Sequence, residues 1–299
     1  MKVAIVTTLI DAEQVTESFL NYHLGTGFDH IYLFFDDPAD KTIPLIEGRK
    51  DVTVIPCNDA LKKKWTGTNA FAQYGHLSPF LYTEPMARQI LNMEIAREMA
   101  KENGIDWILH IDIDELFYSP YQSVKDHFHK LQSDNVVFQR YLNYEAVPEK
   151  EDISDYFREV TLFKKNPESY SSTDKANHEK YVNKDLFNYY KIGKMAARVN
   201  EIYLSGIHEF VFSKENIGKP IQFPPPSPED PVILHYVCCG FEFFWKKYTT
   251  LGNFNPKAFG RHLHSVYEKV QTIITKQNDR ELAKEFYRNN IMLPEQEIK

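Results

Sequence analysis

The stretch Trp107-Ile108-Leu109-His110-Ile111-Asp112-Ile113-Asp114-Glu115-Leu116 constrains the fold more than any other part of the chain. An apolar run with no charge until its end reads as a strand buried on both faces of a parallel sheet. The abrupt Asp-x-Asp-Glu sets three carboxylates where that strand leaves the core, and in open α/β sheets ligands bind beyond the carboxyl ends of strands. Residues two apart on an extended chain point to one side, so Asp112 and Asp114 are expected to face outward together. Carboxylate oxygens suit Mg²⁺ or Mn²⁺. The plainer alternative is that acidic residues end a strand and solvate its loop.

The rest of the chain supplies the sheet this strand requires. Val3 to Leu9 reads as a first strand, Ala12 to Leu24 as a helix stopped by Gly25 and Gly27, His30 to Phe35 as a second strand and Val52 to Pro56 as a third. That order opens a parallel nucleotide-binding sheet. From Asn58 to Pro85 the pattern dissolves, which for so long a stretch points to a functional or partly helical segment. Helical periodicity returns from Glu84 to Asn103, closed by Gly104. Beyond Glu115 a helix is expected near Tyr121 to Leu131 and strands over Asn135 to Leu142, Ile202 to Phe212 and Val232 to Val237. Residues 149 to 190 read as a substrate-shaping excursion, and the proline run from Phe223 to Pro228 as a rigid connector. Helices are expected at Glu242 to Tyr248, His264 to Thr275 and Asp279 to Asn289.

With 299 residues and 42% hydrophobic content the chain can bury a large core. The formal charge of −7 argues against a general nucleic-acid binder, whose footprint is basic. Three cysteines, Cys57, Cys238 and Cys239, form neither a disulfide framework nor a metal-ligand spacing, which fits a reducing compartment. The chain opens directly into a strand and carries no apolar run of membrane-spanning length, so the expectation is a cytoplasmic protein that meets membranes, if at all, peripherally.

The ordered motifs together resemble a family. They are Asn21-Tyr22-His23-Leu24-Gly25 with His30-Ile31-Tyr32, Gln89-x-x-Asn92 before Asp106-Trp107, and Ile111-Asp112-Ile113-Asp114-Glu115, followed by Gly193-Lys194-Met195-Ala196-Ala197-Arg198, Gly206-Ile207-His208-Glu209-Phe210, and Leu234-His235-Tyr236 before Lys247. Over roughly residues 3 to 250 this pattern resembles GT-A fold glycosyltransferases, specifically the family 2-like and family 92-like enzymes. The resemblance implies an α/β, Rossmann-like fold with a central mostly parallel sheet flanked by helices. It implies one domain over 1–299, with a nucleotide-sugar half (1–115), an acceptor half (116–250) and C-terminal helices (251–299). The chain departs from the family's pattern at Ile10-Asp11-Ala12-Glu13 and at Asp36-Asp37-Pro38, both where the donor's nucleoside is expected.

The resemblance also implies roles. Asp112 and Asp114, with His235 as third ligand, are expected to hold Mn²⁺ or Mg²⁺, and Asp114 to serve catalysis through it; the plain reading of His235 is a core histidine. Thr7, Thr8, Glu13 and Asp36 are placed for nucleoside contacts, with Gln89 and Asn92 beside them; Asp36 alternatively caps its turn. Lys194 and Arg198, one turn apart if helical, and Lys247 are expected to face the diphosphate, or else to be ordinary surface cations. Glu209 is the chosen general base, Glu145 its competitor, and Glu115 an orienting neighbour. The expected reaction is transfer from a nucleotide sugar, a UDP-sugar foremost, to a glycan acceptor with inversion. Two other readings remain: a non-catalytic sugar-nucleotide or carbohydrate-binding module, and a haloacid-dehalogenase-type phosphatase. In the latter the motif belongs on the first strand, whereas here three strands precede it.

Overall fold

Seven consecutive residues, Val3–Leu9, form strand β1, and every one of them is buried. A strand with no polar face must lie inside a sheet covered on both sides. In this computed structural model, which describes residues 1–73, 81, 84–181, 189–251 and 269–293, β1 is followed by α1 (Glu13–Thr26), β2 (His30–Phe35), α2 (Ile43–Ile46), β3 (Val52–Pro56), α3 (Asp59–Trp65), α4 (Asn69–Gln73) and α5 (Pro85–Glu102). Then come β4 (Trp107–His110), β5 (Glu115–Tyr118), α6 (Val124–Ser133), β6 (Phe138–Tyr141), β7 (Asn143–Ala146), α7 (Tyr156–Glu159), β8 (Phe163–Lys164) and α8 (Ser172–Tyr181). The last elements are β9 (Lys194–Arg198), β10 (Leu204–Ser205), β11 (Phe210–Val211), β12 (Val232–His235), α9 (Phe241–Leu251), a π-helical turn at Thr272–Gln277 and a helix at Arg280–Asn290. Among the described residues no helix is long and apolar enough to cross a membrane.

The chain divides into two compact units. One comprises Met1–Leu142 and Ile192–Ile233, the other Asn143–Lys191 and Leu234–Lys299. The first holds a six-stranded sheet of order β3-β2-β1-β4-β9-β6. Strands β1 to β4 are mutually parallel, and β9 runs antiparallel to both β4 and β6. The fold is thus α/β with a central, mostly parallel sheet flanked by helices, as expected. In the second unit β7 pairs antiparallel with β8, and Phe241, Phe244, Tyr248, Val270, Ile274 and Tyr287 belong to its buried apolar core.

Local chemistry sets the ends of the elements. Pro85 occupies the first turn of α5, where a missing N–H costs nothing. Gly27 closes α1 in the left-handed conformation. Ser123 caps α6 by accepting from the Asp126 N–H. The dissolved stretch after Asn58 contains α3 and α4, while residues 74–80 and 82–83 lie outside the described residues.

Several expected elements differ in detail. The central strand ends at His110, because Asp112 to Glu115 fold into a turn closed by the Glu115 N–H donating to the Asp112 carbonyl at 3.1 Å. Lys194 to Arg198 is a strand, not a helix, since Met195, Ala196 and Ala197 are buried inside the sheet. The single strand expected from Ile202 to Phe212 is a hairpin of β10 and β11 around Gly206. Of the helix expected from His264 to Thr275, residues before 269 lie outside the described residues.

Two of the first unit's buried histidines, His23 and His127, are held neutral. His23 donates from Nδ1 to the Phe19 carbonyl and accepts at Nε2 from the Phe117 N–H; burial pushes it down to about 3. Burial, with Lys130 adding to it, pushes His127 down to about 4. The unfolded chain therefore binds more protons below about pH 6.5, and stability is lost as pH falls toward the folded values. Urea unfolding is expected to show about 3 kcal/mol less stability at pH 5.5 than at pH 7.5 from these two groups together. A second prediction concerns Gly193, which has φ +75° and whose missing Cβ would lie 2.1 Å from the Tyr141 carbonyl oxygen. Gly193→Ala is expected to cost about 3 kcal/mol or more, against about 1 kcal/mol for Gly104→Ala, where φ is +65° but nothing lies near; both are read by urea unfolding.

Candidate functional site

The carboxyl ends of β1, β2 and β4 carry Thr8, Asp36 and the Asp112–Glu115 turn at one edge of the first unit's sheet. Because β9 is antiparallel, its first residue arrives at this same edge. Lys194 and Ile111 each lie two residues beyond the paired Leu109 and Ala196. The Lys194 ammonium has no solvent exposure and donates to Asp112 Oδ2 at 2.6 Å. It also stands 3.5 Å from Glu115 Oε2. The other Asp112 oxygen, Oδ1, accepts from Gln89 Nε2 at 2.8 Å, and the Asp112 N–H donates to Glu115 Oε2 at 2.8 Å.

This arrangement drives the two carboxyls apart. Burial raises Asp112, but the Lys194 charge and hydrogen bond outweigh it and hold Asp112 well below the usual carboxylate range. Burial raises Glu115 well above its ordinary value, Lys194 opposing and the Asp112 and Asp114 charges reinforcing. Burial lowers Lys194, yet the pull of Asp112 and Glu115 prevails and keeps it protonated. His110, buried at the end of β4, is pushed down to about 4 by burial and then by Lys194. The core of the cluster is one cation bound to one ionised carboxylate.

Other expected nucleoside contacts are turned toward the protein. Asp36 holds the Arg88 guanidinium in a two-pronged pair, with both N···O distances 2.5 Å. Asn92 is fully buried; its amide donates to Thr8 Oγ1 at 3.1 Å and its carbonyl accepts from Trp65 Nε1 at 2.9 Å. Thr7 has no exposure, whereas Thr8 is at the margin of burial. Glu13 is exposed in the first turn of α1.

Arg198 lies at the far end of β9 from Lys194 and donates to the Gln132 carbonyl at 3.0 Å. The expected Lys194–Arg198 pair is therefore not formed, because residues four apart on a strand are separated along its length. Glu209 is exposed in the β10–β11 turn. Its neighbour His208 donates from Nδ1 to the Gly193 carbonyl at 3.1 Å and lies close enough to favour the Asp112 anion. The turn is thereby tied to the residue preceding Lys194.

Glu145, His235 and Lys247 belong to the second unit. Glu145 is buried, pairs with Lys164 at 2.7 Å and accepts from the Tyr189 N–H at 3.1 Å, a clamp and not an open base. His235 is buried with the Tyr190 ring at 4.9 Å, and Lys247 is half-buried on α9. Sequence reasoning missed Arg88 and Trp65. The signal available was the polar group Arg88, Gln89 and Asn92 in the first half of α5.

The divalent cation that the family resemblance implies does not fit Asp112 as the residues stand. Each carboxylate oxygen already accepts a hydrogen bond, and the Lys194 ammonium sets a positive charge beside the place an ion on Asp112 would take. Like unit charges about 4 Å apart repel by about 4 kcal/mol near a protein surface, and a divalent ion doubles that. Among the described residues no group of three or more His, Cys, Asp or Glu is gathered for a metal ion.

No family model matches the chain. Two curated Arabidopsis thaliana proteins, both named glycosyltransferase-like, are similar to it. One is 25% identical over 315 residues, covering 100% of this chain and 59% of its own length. The other is 29% identical over 214 residues, covering 67% of this chain and 47% of its own length. The chain thus spans about half the length of these relatives. Among solved structures, core-mannan synthase A from Aspergillus fumigatus in its Mn/GDP form overlaps with TM-score 0.33 at 10% identity, covering 67% of this chain and 60% of that one. A CMP:2-keto-3-deoxy-manno-octonic acid synthetase complexed with CTP gives 0.30 at 11%, covering 75% and 80%. Overlaps at those scores carry no argument about ligand or reaction.

Asn92 offers a test of which groups serve the scaffold. Asn92→Ala strands the Trp65 indole N–H without its acceptor and is expected to cost about 2 kcal/mol in urea unfolding. A donor-contacting residue would instead weaken nucleotide binding and leave stability unchanged.

Proposed function

We propose that this chain is the catalytic part of a glycosyltransferase that binds a nucleotide sugar at the carboxyl edge of the first unit's sheet and passes the sugar to a glycan acceptor. The observation that carries this reading is the acidic turn Asp112–Glu115, anchored by Lys194 and Gln89, at the carboxyl end of the central strand β4. That edge is where nucleotide ligands sit in open α/β sheets, and likeness to a glycosyltransferase-like protein over the whole chain agrees with it.

Within this proposal the residues divide the work. Thr8 and the exposed Glu13 border the place for the nucleoside, while Asp36 acts through Arg88. Asp114, half-exposed on the turn, faces the region where the anomeric carbon gains positive charge, and a nearby carboxylate favours that charge. Glu209 takes the acceptor hydroxyl's proton, and attack opposite the leaving diphosphate inverts the anomeric centre. A UDP-sugar is the proposed donor, by resemblance. A dehalogenase-type nucleophile is disfavoured at Asp112, whose oxygens are bound to Lys194 and Gln89.

The test is thermal melting of the full chain with UDP, GDP, CDP and ADP, each in EDTA and in Mn²⁺. A nucleotide at about a hundred times its Kd adds about 2.7 kcal/mol and is expected to raise Tm by about 5 °C. With that nucleotide's sugar, release of nucleoside diphosphate is expected to fall about a hundredfold or more in Glu209→Gln, without change in the melting shift. A nucleotide that binds without any turnover identifies a binding module. No shift with any nucleotide in either condition overturns the proposal.

A further inference from the structure

We infer that Lys194 is the built-in cation of the Asp-x-Asp turn, so that Asp112 is not a metal ligand and any divalent ion that serves the nucleotide is held without it. The inference deepens the proposed function and rests on it for the nucleotide. Three observations carry it.

The first is occupancy of the carboxylate. Lys194 Nζ lies 2.6 Å from Asp112 Oδ2 and Gln89 Nε2 lies 2.8 Å from Oδ1, so each oxygen already accepts from a protein donor and one of those donors is a cation. The second is permanence. The Lys194 side chain has no solvent exposure, and Glu115 Oε2 stands 3.5 Å away on a second side. To free Asp112, the buried ammonium would have to leave two carboxyl groups. The third is backbone anchoring. Lys194 follows Gly193, whose left-handed φ of +75° presses the chain against the Tyr141 carbonyl and leaves no room for a side chain. The Gly193 carbonyl is held in turn by His208. The cation is therefore mounted on the central sheet, not on a loop that ligand binding rearranges.

The chemical consequence is specific. In a metal-using site of this kind the ion joins carboxylate to diphosphate, so chelation abolishes nucleotide binding. Here Lys194 neutralises Asp112 from within, and an ion has no bridge to make through Asp112. Being buried, Lys194 does not itself touch the phosphates; it acts as a positioning residue that fixes the turn and cancels its charge.

The experiment uses the full chain and two readouts. Isothermal titration with the nucleotide singled out by melting is run in EDTA and in Mn²⁺, and Mn²⁺ binding to the nucleotide-free protein is read by electron paramagnetic resonance. The wild type is expected to leave the Mn²⁺ spectrum that of the free ion, and Asp112→Asn to keep a nucleotide Kd in Mn²⁺ within about twofold of the wild type's. Lys194→Met, which keeps length and removes charge, is expected to bind Mn²⁺, its nucleotide Kd rising about tenfold or more on chelation. A Kd that rises about tenfold or more in Asp112→Asn with Mn²⁺ present but not in EDTA overturns the inference and leaves the proposed function standing. Stoichiometric Mn²⁺ bound by the wild type and lost in Asp112→Asn overturns it too, and this reading stands even where Lys194→Met fails to fold or no nucleotide binds.

Discussion

A lysine ammonium shut away from water is tolerated only where carboxylates and hydrogen bonds replace its hydration, and the carboxyl edge of this sheet is built around that requirement at Lys194. Four segments distant in sequence have to converge to meet it. The turn after β4 supplies Asp112 and Glu115, β9 supplies the lysine, α5 supplies Gln89, and the β10–β11 hairpin supplies His208 against the Gly193 carbonyl. Removing one partner of such a cluster leaves an uncompensated charge, which is why its members constrain one another so tightly.

The sheet order makes this convergence possible. Four parallel strands bring their carboxyl ends to one edge, and an antiparallel fifth strand brings its amino end to the same edge. Polar groups that sequence alone assigns to a ligand are consequently in reach of partners within the protein. Asp36 meets Arg88, Asp112 meets Lys194, and Asn92 joins Trp65 to Thr8. The groups left facing outward are fewer: Glu13, Asp114 and Glu209 retain exposure. The same logic recurs in the second unit, where Glu145 is clamped by Lys164 and the Tyr189 N–H.

Much of the fold was legible because it rests on local signals. Val3–Leu9, His30–Phe35 and Val52–Pro56 were marked by continuous apolar runs, and the helix at Pro85–Glu102 by periodicity with a proline at its start and a glycine after its end. Less legible were elements whose residues suit two conformations. Met195, Ala196 and Ala197 are good helix formers, and only burial between β4 and β6 makes them a strand. The residues from Ile202 to Phe212 fold back at Gly206, where a Cβ would lie 2.7 Å from the Glu209 carbonyl oxygen.

The sequence by itself determined the α/β class, the placing of an acidic turn at the end of a central strand, and the residue types available there. These follow from hydrophobic patterning, which acts over a few residues and can be read from them. Only the tertiary structure decided what those residues do to each other. An Asp-x-Asp open to a metal and one closed by a lysine 82 positions away have the same local sequence. The difference is made by strand order and direction, which set the few ångströms over which charge pairing acts.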